Sequence, residues 1–97
     1  MAHEIVLAPE AAEDLKVLRA NVRSEVKAAM TRHLTHEPMK TSRSRIKRLR
    51  GMSRPQFRLR VGDVRVFYDV VGNEVRFLAI VAKDQARSWL ERAGARR

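Results

Sequence analysis

Three arginines around a tight turn are the residues of this sequence best suited to chemistry. Arg58 and Arg60 precede the dipeptide Gly62-Asp63, and Arg65 follows it. Because successive strand side chains point to opposite faces of a sheet, Arg58 and Arg60 share one face and the apolar residues beside them form the other. If two strands pair across the turn, Arg65 lies beside Arg60, and a bound phosphate would relieve their repulsion. The alternative is a solvated edge strand whose arginines prevent aggregation.

The positive charge of the chain is concentrated around these arginines. The 97 residues include 21 Lys and Arg against 11 Asp and Glu, a formal net charge of +10. Residues 38–62 hold nine basic side chains and no acidic one. Such a local excess favours a polyanionic partner, nucleic acid first, then an acidic protein, then a membrane surface. Lys47, Arg48 and Arg50 are candidates for contacts with a nucleic-acid backbone, and a solvated run of charge explains them equally well.

Other kinds of site find little support in the sequence. The absence of cysteine excludes disulfides and thiolate metal sites. His3, His33 and His36 have no carboxylate at a fitting distance, so we expect no metal. No Gly-rich phosphate loop or nucleophile elbow occurs, and we expect no cofactor. With neither a signal peptide nor a membrane-spanning apolar run, we expect a cytoplasmic protein without a membrane partner.

The first part of the chain predicts a strand followed by a helical hairpin. Residues 3–7 are short and β-branched, which favours a strand. Pro9 suits the first position of a helix that extends to about residue 19. Apolar residues at helical spacing predict a second helix over residues 22–36, with Asn21 as its cap. We expect both helices to pack against a sheet made by the rest of the chain.

The last part of the chain predicts three antiparallel strands and a short helix. The strands span residues 56–61, 64–71 and 74–82, and glycine-containing dipeptides between them suit hairpin turns. The second and third of these strands are apolar on both faces, so we expect them to be central. Asp84 suits the N-cap of a final helix that ends at Gly94. We expect residues 95–97 to form a loose tail.

The connector 40–54 has the weakest pattern in the sequence. Ile46, Leu49 and Met52 recur every third residue. This spacing is consistent with a short helical turn or with an irregular loop that buries apolar anchors under a basic surface.

Alternation assigns a face to each side chain after Arg65. Phe67 shares the face of Arg65 and is therefore the candidate for stacking on a base. Tyr68 points the other way and is the core candidate. We expect Asp69 to pair with an arginine rather than to act as a general base.

With these elements in order, the chain resembles the RelE/ParE superfamily of toxins from type II toxin–antitoxin systems. The most specific segments are LRGM at 49–52 and FRLRVGDVRVFY at 57–68, which is similar to YRLRVGDYRVIY in the family. The opening IVLAPEAAEDLKVL is similar to the family's first strand and helix. The resemblance implies one α+β domain over residues 1–97. Its order would be β-α-α-β-β-β-α, with a helix hairpin packed on a mainly antiparallel four-stranded sheet, the RelE-like microbial RNase fold.

Resemblance to the RelE branch implies a ribosome-dependent endoribonuclease that cuts mRNA in the ribosomal A site without a metal and so inhibits translation. It assigns catalytic roles to Arg58, Arg60 and Arg65. The first two would stabilise charge, because arginine is a poor base. The implied partners are the ribosome, mRNA and a cognate acidic antitoxin. The antitoxin would cover the basic groove in a heteromeric complex.

The C-terminal part departs from the RelE pattern. Where RelE-like sequences have an arginine after the last strand and a tyrosine in the last helix, this chain has Asp84 and Leu90. Lys83, a further catalytic candidate, and Arg87, a further RNA-binding candidate, supply part of that charge. No residue is an evident general acid or base. The alternatives are a ParE-like inhibitor of DNA gyrase and a degenerate toxin that retains only antitoxin binding.

Overall fold

A five-stranded sheet forms the centre of the computed structural model, which describes residues 2–96. Along the chain the elements are β1 (Glu4–Leu7), α1 (Pro9–Val17), α2 (Ala20–Leu34), β2 (Ile46–Arg48), β3 (Met52–Arg54), β4 (Phe57–Val61), β5 (Val64–Val71), β6 (Glu74–Ala82), a 3₁₀ helix (Lys83–Gln85), α3 (Ala86–Ala93) and β7 (Ala95–Arg96). The strand order in the main sheet is β1-β6-β5-β4-β2. β1 runs parallel to β6, and the other neighbours are antiparallel.

The helix hairpin covers one face of this sheet. Pro9 begins α1, and Ala11 and Leu15 recur on the buried side. In α2 the buried residues Val26, Met30 and Leu34 follow at intervals of four. Both helices therefore present apolar stripes to the side of the sheet that holds the rings of Phe57, Tyr68 and Phe77. These positions confirm the predicted hairpin and the core position of Tyr68.

A second, smaller core lies on the opposite face and depends on α3. Trp89 stacks on Phe67, with 4.9 Å between ring centroids and 8° between ring planes. Its indole Nε1 donates a hydrogen bond of 2.6 Å to Oε2 of Glu10 at the start of α1. The last helix is thus attached both to β5 and to the first helix. The prediction that the strands now numbered β5 and β6 are central is confirmed, since other strands flank each of them.

Two segments are more regular than the sequence predicted. The connector contains β2, which pairs with β4 and makes the main sheet five-stranded rather than four-stranded, and β3. The predicted loose tail contributes β7, which pairs with β3 in a separate two-stranded sheet. Both results depend on pairing with a strand outside the segment concerned, which the spacing within each segment does not reveal. Arg97 lies outside the described residues.

Both predicted N-caps are wrong. The N-cap of α2 is Arg19 rather than Asn21, and no side chain caps that helix. Asp84 lies within the 3₁₀ helix, and Gln85 takes the N-cap position of α3. The predicted end of α3 is confirmed, because the N–H of Gly94 donates to the carbonyl of Leu90. None of the helices in residues 2–96 has the length and apolarity needed to span a membrane.

The first prediction concerns the hydroxyl of Tyr68. It donates a buried hydrogen bond of 2.6 Å to the carbonyl of Pro38, just after α2. Tyr68→Phe leaves that buried carbonyl without its donor, so the free energy of unfolding should fall by about 1–3 kcal/mol in chemical denaturation. The exposed Val17→Ala is the control and should change it by less than about 0.5 kcal/mol. Equal effects of the two substitutions would contradict the assigned role of the hydroxyl.

Candidate nucleic-acid interface

The registers of β2, β4 and β5 bring four basic residues together on the face opposite the helix hairpin. Arg60 pairs directly with Arg65, and Arg58 pairs with Phe67. On the other side of β4, Lys47 of β2 pairs with Arg58. The predicted juxtaposition of Arg60 and Arg65 is therefore present in the structure. We call Lys47, Arg58, Arg60 and Arg65 the basic face.

Arg65 holds its charge in an almost fully buried position. The residue is 8% exposed. Its Nη1 donates to the carbonyl of Gly62 at 2.9 Å and to the carbonyl of Val64 at 3.1 Å. The positive φ of Gly62, 56°, belongs to the tight turn that presents the first of these carbonyls. The guanidinium is thus fixed over the turn by neutral acceptors, which leave its positive charge uncompensated.

Arg58 is the least satisfied member of the basic face. Its Nε atom is buried and has no hydrogen-bond acceptor. Burial lowers the pKa of the Arg58 guanidinium from its ordinary value, and repulsion from Arg65 and Arg60 lowers it further. Among the ion pairs formed by the described residues, none includes Arg58, Arg60 or Arg65. An anion that approaches this face would therefore meet donors and positive charge without displacing a carboxylate.

Phe67 is not available as a stacking platform. Alternation places it on the face of Arg65, as the sequence predicted, but its side chain is 0% exposed beneath Trp89. The predicted RNA contact by this ring is wrong, because Trp89 covers the ring. The sequence signal was ambiguous, because an aromatic residue beside arginines is equally suited to a small core covered by a later helix.

The other predicted contacts are distributed around the basic face. Arg48 lies with its guanidinium carbon 5.2 Å from the ring centroid of Phe57, a residue of the helix-side core. Arg50 is exposed at the turn between β2 and β3. Lys83 is exposed beside the β4–β5 turn, where its backbone N–H donates to the backbone carbonyl of Asp63 at 2.7 Å. Arg87 is exposed in the first turn of α3. Arg48, Arg50 and Arg87 are therefore not members of the basic face.

Asp69 has the structural role that the sequence predicted. Its Oδ1 accepts the backbone N–H of Gln56 at 2.7 Å, and its Oδ2 lies 3.9 Å from Nε of Arg54. Burial raises the pKa of Asp69, an effect that the bond from Gln56 and the nearby Arg54 and Arg76 partly offset. The carboxyl supports the start of β4, and three cross-strand pairs separate it from the pair of Arg60 and Arg65.

The sequence missed a set of residues at the edge of the sheet. A cleft of about 350 Å³ between α2 and the segment before β2 is lined by Arg32, His33 and Arg45, among others. Arg45 belongs to the acid-free segment and was visible as charge, but its position against α2 depends on tertiary packing. In residues 2–96 no group of three or more potential ligands is arranged to hold a metal ion.

The basic face has the chemistry of a phosphodiester site. Guanidinium groups bind phosphate oxygens through charge-assisted hydrogen bonds and stabilise negative charge that develops on them. Arginine remains protonated at physiological pH and does not remove a proton from a hydroxyl. The basic face therefore provides binding and charge stabilisation, and any proton transfer needs another group.

Sequence comparison identifies the family. The ParE toxins of type II toxin–antitoxin systems, parDE, match this chain over residues 5–87. The chain belongs to this family. That membership confirms the predicted RelE/ParE superfamily and makes the protein a toxin of a type II toxin–antitoxin system. No individual curated protein sequence matches the chain significantly.

Solved structures of RelE toxins share the fold of this ParE family member. A mutant of the Escherichia coli toxin RelE in the free state is 23% identical with a TM-score of 0.73, over 96% of this chain and 95% of that one. RelE in the Pyrococcus horikoshii RelE–RelB complex is 20% identical with a TM-score of 0.70, over 86% and 97%. The match to the Mycobacterium tuberculosis RelBE2 complex has 22% sequence identity and a TM-score of 0.68, over 84% of this chain and 92% of that one. The predicted α+β, RelE-like fold is confirmed.

The second prediction tests the repulsion on the basic face. Arg60→Gln removes one of two cations that face each other across β4 and β5. The free energy of unfolding at low salt should rise by about 0.2–1 kcal/mol, and the gain should shrink as salt screens the charges. The measurement is urea denaturation at several KCl concentrations. Lys27→Gln, which changes the net charge equally from an exposed position on α2, is the control. A loss of stability in Arg60→Gln at low salt would argue against this repulsion.

Proposed function

We propose that this toxin is a ribosome-dependent endoribonuclease that binds mRNA on the basic face and inhibits translation. The observation that carries the proposal is the uncompensated charge of Arg58, Arg60 and Arg65, together with the buried Nε of Arg58 that lacks an acceptor. A folded protein maintains such repulsion at a cost, and a phosphate between the cations would remove that cost. A bound RNA strand brings such phosphates in series.

The reaction that suits this face is attack of an RNA 2′-oxygen on the adjacent phosphorus. The new bond joins O2′ to phosphorus and the bond from phosphorus to O5′ breaks, so one proton passes from O2′ to solvent water and another reaches O5′. Between these events the phosphorane carries extra negative charge, which Arg58, Arg60 and Arg65 would stabilise. Protonated Lys83, exposed beside the β4–β5 turn, is our candidate donor to O5′.

The third prediction tests this reaction in cells. Induction of the protein should produce new mRNA ends within translated regions, mapped by primer extension. Arg58→Gln and Arg60→Gln should each slow the appearance of those ends by about 10²–10³-fold, the usual cost of one charge-stabilising group. Lys27→Gln should cleave like the parent protein, because Lys27 lies on α2 and outside the basic face. Thermal unfolding of each variant establishes that the comparison is between folded proteins.

The second candidate function is inhibition of DNA gyrase, as implied for ParE-like toxins. Membership of the ParE toxin family favours it, and so does the absence of an evident general base on the basic face. If translated mRNA stays intact while cells accumulate gyrase-linked DNA breaks, this candidate replaces the endoribonuclease. If Arg65→Ala abolishes toxicity and mRNA cleavage together, the endoribonuclease stands. A protein that causes neither effect but binds an antitoxin would be a degenerate toxin.

We further propose that an acidic antitoxin binds this protein. Structurally similar toxins were solved as complexes, among them RelE–RelB from Pyrococcus horikoshii and RelBE2 from Mycobacterium tuberculosis. The net charge of +10 and the acid-free segment 38–62 favour an acidic partner.

The fourth prediction concerns that partner. A short acidic protein encoded beside this toxin should co-purify with it and suppress its toxicity on co-expression. Arg58→Gln with Arg60→Gln should slow association, because positive charge steers an acidic partner. Raising the salt concentration should slow the association of the parent protein with its partner towards the association rate of the variant. Co-purification without suppression of toxicity would contradict the antitoxin assignment.

A further inference from the structure

Two adjoining clefts lie where the C-terminal half of α2 faces the chain around Arg45. The first, of about 350 Å³, is lined by Arg32, His33, Lys40 and Arg45 among others. The second, of about 290 Å³, is also lined by Arg32, His33 and Arg45. Because they share these three lining residues, the two clefts adjoin, and we call them together the edge groove.

The edge groove is continuous with the basic face through Arg60. Arg60 is one of the residues that line the second cleft, and its backbone N–H donates to the carbonyl of Arg45 at 2.8 Å. On β5 the partner of Arg60 is Arg65. A strand of polyanion that leaves the basic face past Arg60 would therefore enter the groove between Arg45 and Arg32.

The groove carries an excess of positive charge that its acidic residues do not cancel. Glu37 is paired with Lys40 at 3.7 Å. Glu25 is the other acidic residue among the described lining, against Arg32, Arg45 and Arg60. Burial lowers the pKa of His33, and the nearby charges of Arg45 and Arg32 lower it further, which agrees with their placement around that ring.

The backbone that carries Arg45 is held in place by a serine. Oγ of Ser42 accepts the N–H of Arg45 at 3.1 Å and that of Ile46 at 3.0 Å. The N–H of Ser42 in turn donates to the carbonyl of Ile46 at 3.0 Å. This turn fixes the position from which the arginine side chain extends, and so lowers the entropy lost when a ligand binds.

We infer that the edge groove binds the phosphodiester backbone of the same nucleic-acid strand that the basic face holds. The inference extends the proposed function, on which it rests for the identity of the ligand. The groove contacts would supply affinity and direction along the strand but no cleavage chemistry, because phosphate contacts position a nucleic acid without reading its bases. Arginine also binds carboxylates, so an acidic peptide is the competing occupant.

The experiment measures how salt weakens binding of a short single-stranded RNA of mixed sequence, by fluorescence anisotropy. Each lost phosphate contact should lower the slope of log K against log salt by about 0.7 for a single strand. The double variant Arg32→Gln with Arg45→Gln should therefore lose about 1.4 in slope. Arg19→Gln with Lys27→Gln removes the same charge from exposed α2 and N-cap positions outside the groove and is the matched control.

The outcomes separate this inference from the proposed function. A groove variant whose slope equals that of the control overturns the inference. Lys47→Gln with Arg58→Gln tests the basic face in the same assay; if its slope alone falls, RNA binding at that face stands and the groove contact fails. If the groove slope alone falls, the groove binds RNA but the proposed site fails, and with it the inference that one strand occupies both surfaces. Poly-glutamate binding that weakens in the groove variant while RNA binding does not would assign the groove to an acidic peptide and overturn the inference.

Discussion

The position of the basic face is determined by the need to bury β5 on both of its faces. On one side Val66 and Tyr68 require the helix hairpin, and on the other side Phe67 requires Trp89. The hairpin is long enough to cover its side of the sheet. α3 has only eight residues, and its buried side chain, Trp89, packs on Phe67. Arg60, which pairs with Arg65 on β5, stays exposed beyond that contact.

This arrangement places binding chemistry in competition with stability. A cross-strand pair of arginines and a buried Nε without an acceptor are each unfavourable in the free protein. The aromatic stack of Trp89 on Phe67 and the bond from Trp89 to Glu10 anchor the neighbouring part of the face. The backbone of β4 and β5 and the guanidinium of Arg65 are thus in place before any ligand arrives, so little ordering of these strands is needed on binding.

Much of the fold could be predicted from the sequence because its signals are local. Alternation in β4, the apolar run of β5, the turn at Gly62 and the apolar stripes of α1 and α2 are each set by residues close together in the chain. Strand β2 was not predictable in this way, since it is stabilised by pairing with β4 across the chain. The predicted caps failed because propensity alone does not decide where a helix begins. α2 begins before Asn21, and α3 begins after a 3₁₀ helix that contains Asp84.

The site could be predicted in its strand residues and not in its surroundings. The mutual placement of Arg58, Arg60 and Arg65 follows from parity and turn geometry alone. The burial of Phe67 required knowledge of where α3 returns to the sheet. The edge groove required the tertiary approach of α2 to Arg45. Sequence therefore identified the charged groups, while the shape available to a ligand emerged only from packing.

The chain has a single tryptophan, and its position makes it an optical reporter. Trp89 lies face to face with Phe67, which is the cross-strand partner of Arg58, and is 6% exposed. Its emission therefore originates in one known environment, beside the basic face but outside the edge groove. A change in the wavelength or intensity of Trp89 emission would report that α3 has shifted on the sheet, without any attached dye. The native protein thus carries its own probe of movement in the last helix.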